Sequence, residues 1–151
     1  VKFPEWLPVY GDVSFRGDCP NETPEQIAFF NIIRKGSPGI GTTAVHPKNE
    51  AKRKGKDFYK LKMDKALGLT PGASDIIIPG CPSFVCEMKR KDHTKSSWQK
   101  DQLQYLEDCK NNGAFVCVAL GHKAALEAFY KWLDLVSELQ ARLKGKYPWN
   151  H

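Results

Sequence analysis

The chain has 151 residues, 41% of them hydrophobic, and 23 Lys and Arg against 17 Asp and Glu give it a formal charge of +6. A domain of this size buries about two-thirds of its unfolded surface, so folding needs neither a disulfide framework nor a structural metal. No run of about 20 apolar residues offers a bilayer span, so no membrane is expected among the partners, and the net charge puts polyanions first. The five cysteines, Cys19, Cys81, Cys86, Cys109 and Cys117, are odd in number and contain no Cys-x-x-Cys pair. That pattern points away from a secreted disulfide scaffold or a zinc ribbon and predicts a reduced, intracellular chain. The opening Val-Lys-Phe-Pro-Glu-Trp has no signal-peptide core.

Residues 1–22 hold scattered aromatics with Pro4, Pro8 and Pro20 and no sustained period, which predicts an extended arm that packs irregularly. Thr23-Pro24-Glu25-Gln26 is a helix start with a capping hydroxyl and an early proline, followed by Ile27, Phe30 and Ile33 at helical spacing. Gly36-Ser-Pro-Gly39 ends that helix, and residues 40–45 are expected to form a short strand. Charge then shifts: residues 1–33 carry two basic and five acidic side chains, residues 46–65 eight basic and three acidic. Phe58, Tyr59, Leu61 and Met63 are interleaved with those lysines, so the apolar groups are expected to pack while the charges face out. Taken alone, this segment reads first as a solvated lysine-rich face, with a polyanion-binding run as the alternative.

Residues 73–78 and 83–89 read as two strands around Pro79-Gly80-Cys81-Pro82. Residues 96–112 read as a helix ended by Gly113, and residues 114–120 as a buried strand, so a right-handed crossover and parallel pairing are expected. The last element, residues 123–144, places Leu126, Phe129, Leu133, Val136, Leu139 and Leu143 on one stripe of an amphipathic helix. No repeat or linker divides the chain. The expected organisation is an arm (1–22), an α/β core (23–121), and a C-terminal helix (122–151) packed on the core or at a dimer interface.

Alternation along a strand puts Val85, Glu87 and Lys89 on one face and Phe84, Cys86 and Met88 on the other. The tight turn can bring Asp75 opposite Glu87 and Lys89. Two converging carboxylates offer hard oxygen ligands to Mg2+ or Mn2+, and a neighbouring ammonium can steady a water or a scissile phosphate. The triplet alone also fits a cross-strand ion pair. An aspartate at the root of an otherwise apolar strand, however, needs compensation, which a cation supplies.

Gly72-Ala-Ser-Asp75, Phe84-Val-Cys-Glu87-Met-Lys89 and Ser96-Ser-Trp-Gln99, in this order, resemble the PD-(D/E)xK nuclease superfamily, and more closely its virus-type replication-repair nuclease (VRR-NUC) family. The resemblance runs from about Thr23 to Leu126 and includes Glu25 and the His46-Pro-Lys-Asn-Glu50 segment; Ser74 stands where the superfamily's name has proline. It implies a restriction-endonuclease-like αβββαβ core with a mixed sheet flanked by helices. It further implies that Asp75 and Glu87, with the Met88 backbone carbonyl, bind the divalent metal and that Lys89 is the catalytic lysine. Gln99 would support the site or touch the substrate, with Gln102 one turn away as the other candidate. Glu25 would complete the acidic cluster, although a glutamate in a first helical turn also answers the helix dipole. His46 has two readings, a phosphate contact or a turn residue before proline.

On that resemblance the basic residues Lys48, Lys52, Arg53, Lys54, Lys56, Arg90, Lys91 and Lys95 are expected to dock the DNA backbone, with little sequence preference and steep salt dependence. The implied activity is a metal-dependent, structure-selective DNA endonuclease of Holliday-junction-resolvase type, working as a homodimer because paired nicks need two sites. The alternatives are a non-catalytic basic nucleic-acid-binding protein and a restriction-like subunit targeted by a partner.

Overall fold

A computed structural model describes residues 1–47 and 58–144. The elements in chain order are β1 (Val9–Tyr10), α1 (Glu22–Gly36), α2 (Pro38–Gly41), α3 (Phe58–Ala66), β2 (Ile76–Ile78), β3 (Phe84–Lys89), a 3-10 turn (His93–Lys95), α4 (Gln102–Asn111), β4 (Phe115–Leu120) and α5 (His122–Lys144). The strands form one mixed sheet in the order β1-β4-β3-β2. The hairpin is antiparallel, with Ile76 paired to Cys86 and Ile78 to Phe84. β3 and β4 run parallel from Phe84 against Phe115 to Lys89 against Leu120, joined through α4 as a crossover requires.

Both sheet faces are covered, which is why β3 is buried along its whole length. Phe84, Cys86 and Met88 point towards α1 and α5, where Phe29, Ile33, Phe129 and Trp132 complete the larger core. Val85 points the other way, packing with Val116, Val118 and Leu120 under Leu106 of α4 and Leu7 of the arm. α5 approaches the sheet through Ala124, Ala125 and Ala128 as well as Phe129 and Trp132. Its small side chains, more than the leucine stripe, therefore set the close contact. Trp132 packs on Phe84 with ring centroids 5.6 Å apart and donates its indole N–H to the Pro82 carbonyl at 2.7 Å, pinning the β2–β3 turn from outside.

Three local expectations are corrected and one helix is added. Residues 40–45 do not form a strand: Pro38 presets the helical φ, the Thr42 and Thr43 hydroxyls donate to the Pro38 and Ile40 carbonyls, and only Val45 makes an isolated bridge, to Ile77. The arm is not wholly irregular, because β1 pairs parallel with β4, Val9 against Val118 and Tyr10 against Ala119, and adds a fourth strand. The helix expected from residue 96 starts only at Gln102, since residues 96–101 turn their polar groups to other partners. Residues 58–66 form a helix, α3, closed by Gly68 at φ +105°. There the Gly68 and Leu69 N–H groups donate to the Lys65 and Asp64 carbonyls, the paired closure that a left-handed residue after a helix permits.

Candidate active site

The antiparallel register that pairs Ile76 with Cys86 places Asp75, one residue before β2, beside Glu87 on the α4 face of the sheet. The Asp75 carboxylate accepts the Met88 N–H at 2.9 Å, which ties the start of β2 to the end of β3. Asp75, Glu87 and Lys89 thus share the floor of an open cleft of about 370 Å3. Its walls are the first turn of α1 (Asn21, Glu22, Thr23), the segment after β3 (Arg90, Lys95, Ser96, Ser97), and Gln99 with Gln102.

Lys89 is only 1% exposed, and all three of its donor positions are occupied. Its ammonium donates to Glu87 Oε1 at 3.0 Å, to the Ser97 carbonyl at 3.1 Å and to Gln102 Oε1 at 3.0 Å, and it lies 4.7 Å from the centre of the Trp98 ring. Glu87 Oε1 also accepts the Gln102 amide N–H at 2.6 Å, while Glu87 Oε2 is buried with no partner. Burial, reinforced by the Asp75 charge and opposed by Lys89, pushes Glu87 up to about 8. Burial likewise raises Asp75, against the pull of the Met88 N–H and of Lys89. Two close carboxylates with raised pKa and one unpartnered oxygen call for a proton, a water or a cation at Oε2.

The donor set fits a divalent ion such as Mg2+, which takes one or two carboxylates and fills the rest of its shell with water and substrate phosphate. Among the described residues no group of three or more His, Cys, Asp or Glu side chains is placed to hold a metal ion. A two-carboxylate site opening into a cleft is therefore the form that the residues allow.

The candidates divide as follows. Asp75, Glu87 and Lys89 come together. Gln99 lines the cleft, but its side chain bonds Ser97 Oγ at 3.3 Å, whereas Gln102 makes the contacts to Glu87 and Lys89 and accepts the Gln99 N–H at 2.8 Å. Glu25 is turned away: its carboxylate accepts the His122 N–H and contacts His122 Nδ1, capping the start of α5. The acidic side chain that α1 brings to the cleft is Glu22, one turn earlier, which accepts the Ser96 hydroxyl at 2.7 Å. Glu22 was missed because the expected cap, Thr23, lies two residues after the observed one. The N-cap is Asn21, which leaves Pro24 still within the first turn where its missing N–H costs nothing.

His46 Nδ1 lies 2.8 Å from the Asp75 carbonyl oxygen, so it braces the root of β2. Of the expected DNA contacts, Lys48, Lys52, Arg53, Lys54 and Lys56 lie outside the described residues. The remaining three hold the arm: Arg90 donates to the Cys19 carbonyl at 2.8 Å, Lys91 sits 4.2 Å from the Phe15 ring centre, and Lys95 donates to the Gly17 carbonyl at 2.8 Å. Arg90 and Lys95 also line the cleft, and Arg90 Nε is buried without a partner.

The position of Gln102 depends on a close backbone approach. Gly72 has φ +74°, and a Cβ there would lie 2.4 Å from the Asp101 carbonyl carbon. Asp101 itself is left-handed at φ +69° immediately before α4. The Pro71-Gly72 turn thus seats the first turn of α4, and with it the Gln102 amide, next to the segment that leads through Asp75 into β2.

Among the described residues no helix is long and apolar enough to cross a membrane. No family model and no curated protein matches the sequence. A solved structure described as a VRR_NUC domain protein superposes with a TM-score of 0.61 at 17% identity, covering 80% of this chain and 93% of that one. The mixed four-stranded sheet with its flanking helices is therefore a VRR-NUC-like form of the restriction-endonuclease-like fold.

Proposed function

We propose that the protein is a metal-dependent DNA endonuclease that hydrolyses phosphodiester bonds. The observation that carries this reading is the convergence of Asp75, Glu87 and Lys89 at the floor of an open cleft, with Glu87 Oε2 buried and unpartnered. A divalent ion held by Asp75 and Glu87, with the Met88 carbonyl as a third oxygen, would act as a Lewis acid and lower the pKa of a water. The Lys89 ammonium, held by Glu87, Gln102 and Ser97, would offset the charge that builds on the phosphoryl oxygens as the phosphorus becomes pentacoordinate, and would orient the attacking water by exchanging one of these three bonds for it. Water oxygen forms the new bond to phosphorus, the ester oxygen leaves, and the proton lost by the water balances the one gained by the leaving group. Arg90 and Lys95 on the wall counter the charge of the approaching backbone.

The substrate in this reading is branched DNA, including four-way junctions, cut by a homodimer whose symmetry supplies two sites. Support for that part comes from the basic charge and the family resemblance. A non-catalytic nucleic-acid-binding role has one observation in its favour, the full satisfaction of the Lys89 donors by the protein itself. One assay separates the two. Labelled plasmid, duplex, flap and junction DNA are incubated with and without Mg2+ or Mn2+, beside Asp75→Ala and Lys89→Ala. Metal-dependent cleavage lost in both variants is expected. Cleavage that survives both would remove this site, and binding without cleavage would favour the binding protein. A monomer by light scattering that still resolves junctions would overturn the dimer.

A further inference from the structure

The helix α3 has no buried residue. Leu61 and Asp64 are half-buried, whereas Phe58, Tyr59 and Leu67 are 83%, 78% and 79% exposed and Met63 is exposed beside them. The expected packing of the apolar residues is thus reversed for both aromatics. Lys60, Lys62 and Lys65 are exposed on the same helix, against a single acidic residue, Asp64. Its C-terminal end is fixed by the closure at Gly68, so the aromatic face stands on a defined element.

This helix adjoins the candidate active site. Lys65 and Lys100 line a depression with Pro71, Gly72, Gln99, Asp101 and Gln102, its one carboxylate set against two lysines, and Gln99 and Gln102 also form a wall of the acidic cleft. The two depressions meet at that glutamine pair. Phe58 and Tyr59 lie about two turns from Lys65, roughly 10 Å along the helix axis. A strand leaving the cleft over Gln99 and Gln102 would meet lysines first and aromatic rings next.

We propose that α3 is a stacking platform for unpaired nucleotides of the DNA strand that leaves the acidic cleft. Lysines alone contact phosphates and do not distinguish paired from unpaired DNA. Exposed rings do, because an unpaired base offers a free face to stack on and a base inside a duplex does not. The charge favours a polyanion over a second copy of the chain, since two such lysine faces repel each other. The direction of the strand rests on the nuclease reading; the platform itself does not.

The test is fluorescence anisotropy of labelled oligothymidylate and of a blunt duplex of equal charge, with the metal chelated. The Phe58→Ala/Tyr59→Ala double variant is expected to bind oligothymidylate at least about tenfold more weakly, with a much smaller loss for the duplex. Tyr59→Trp is expected to keep the affinity, and its fluorescence should be quenched by oligothymidylate. Unchanged binding by the double variant, or equal loss for both DNAs, would overturn the proposal. So would a fall in light-scattering mass or a loss of binding to phosphatidylserine vesicles with oligothymidylate binding intact, because a second copy or a lipid surface would then be the occupant. If no DNA is cut but Phe58 and Tyr59 control oligothymidylate binding, the nuclease reading fails and the platform stands. If DNA is cut and the double variant binds normally, the reverse holds.

Discussion

Replacing Glu87 by Gln should make the metal-free protein more stable at neutral and alkaline pH while abolishing any metal response. Unfolded, the Glu87 carboxyl releases its proton near the ordinary value of 4.5, but the folded protein holds it to about 8. Between these values the folded state binds the extra proton, so stability falls as pH rises and the effect of this group levels off above 8. At about 1.4 kcal/mol per pH unit the accumulated cost is on the order of 5 kcal/mol. Glutamine keeps the shape of the neutral acid and still offers an oxygen to Lys89 and Gln102, but it never ionises. Urea unfolding of both proteins, with the metal chelated, should give equal stabilities near pH 4.5 and a gap in favour of the variant that widens up to pH 8. Adding Mn2+ near pH 8 should stabilise the natural protein, because binding requires the ionised carboxylate, and leave the variant unmoved. A gap that stays flat between pH 5 and 8 would refute the account of Glu87 as a buried acid waiting for a cation.

Gly72→Ala should destabilise the fold by more than about 1 kcal/mol, since the new Cβ meets the Asp101 carbonyl in a left-handed backbone position, and it should depress cleavage by displacing Gln102; urea midpoints and rates measured together check both. Gln102→Ala leaves Glu87, Lys89 and the Gln99 N–H short of a partner and should cost about 1–3 kcal/mol, whereas Gln99→Ala should cost less, and equal melting shifts for the two would remove the distinction. Trp132→Ala should lose about 3–5 kcal/mol through its cavity, and Trp132→Phe about 1 kcal/mol through the missing bond to Pro82, both read from denaturant midpoints.

The parts of the fold that were legible in the sequence are those whose signals are local. Alternation along residues 84–89 separated Phe84, Cys86 and Met88 from Glu87 and Lys89, and the three isoleucines, the turn and the buried run at residues 115–120 gave the hairpin and the parallel pair. The segments that misled depend on distant partners. Ser96 and Ser97 have ordinary helix-opening character, yet their oxygens are taken by the Arg90 N–H and the Lys89 ammonium, which keeps this segment out of the helix until Gln102. Val9 and Tyr10 carry no strand signal of their own and pair only because β4 leaves an edge for them. Choosing between Gln99 and Gln102 depended on where that helix begins, and choosing between Glu22 and Glu25 on a cap two residues earlier.

The arm that clasps the segment after β3 has a consequence for the order in which the molecule is built. Gly17 bonds Asp92 across 75 residues, and the Val118 N–H donates to the Pro8 carbonyl at 2.9 Å. During synthesis the arm emerges before β3 and β4 and has nothing to grip until they have followed, and contacts this far apart in the chain form slowly. The wall that carries Arg90, Lys95 and Ser96 is therefore completed late, after the sheet and the carboxylates on it are in place. In a refolding experiment with pulsed hydrogen exchange, the Val118 amide should gain protection after the Val85 and Cys86 amides, and simultaneous protection would show that the arm docks with the sheet instead of onto it.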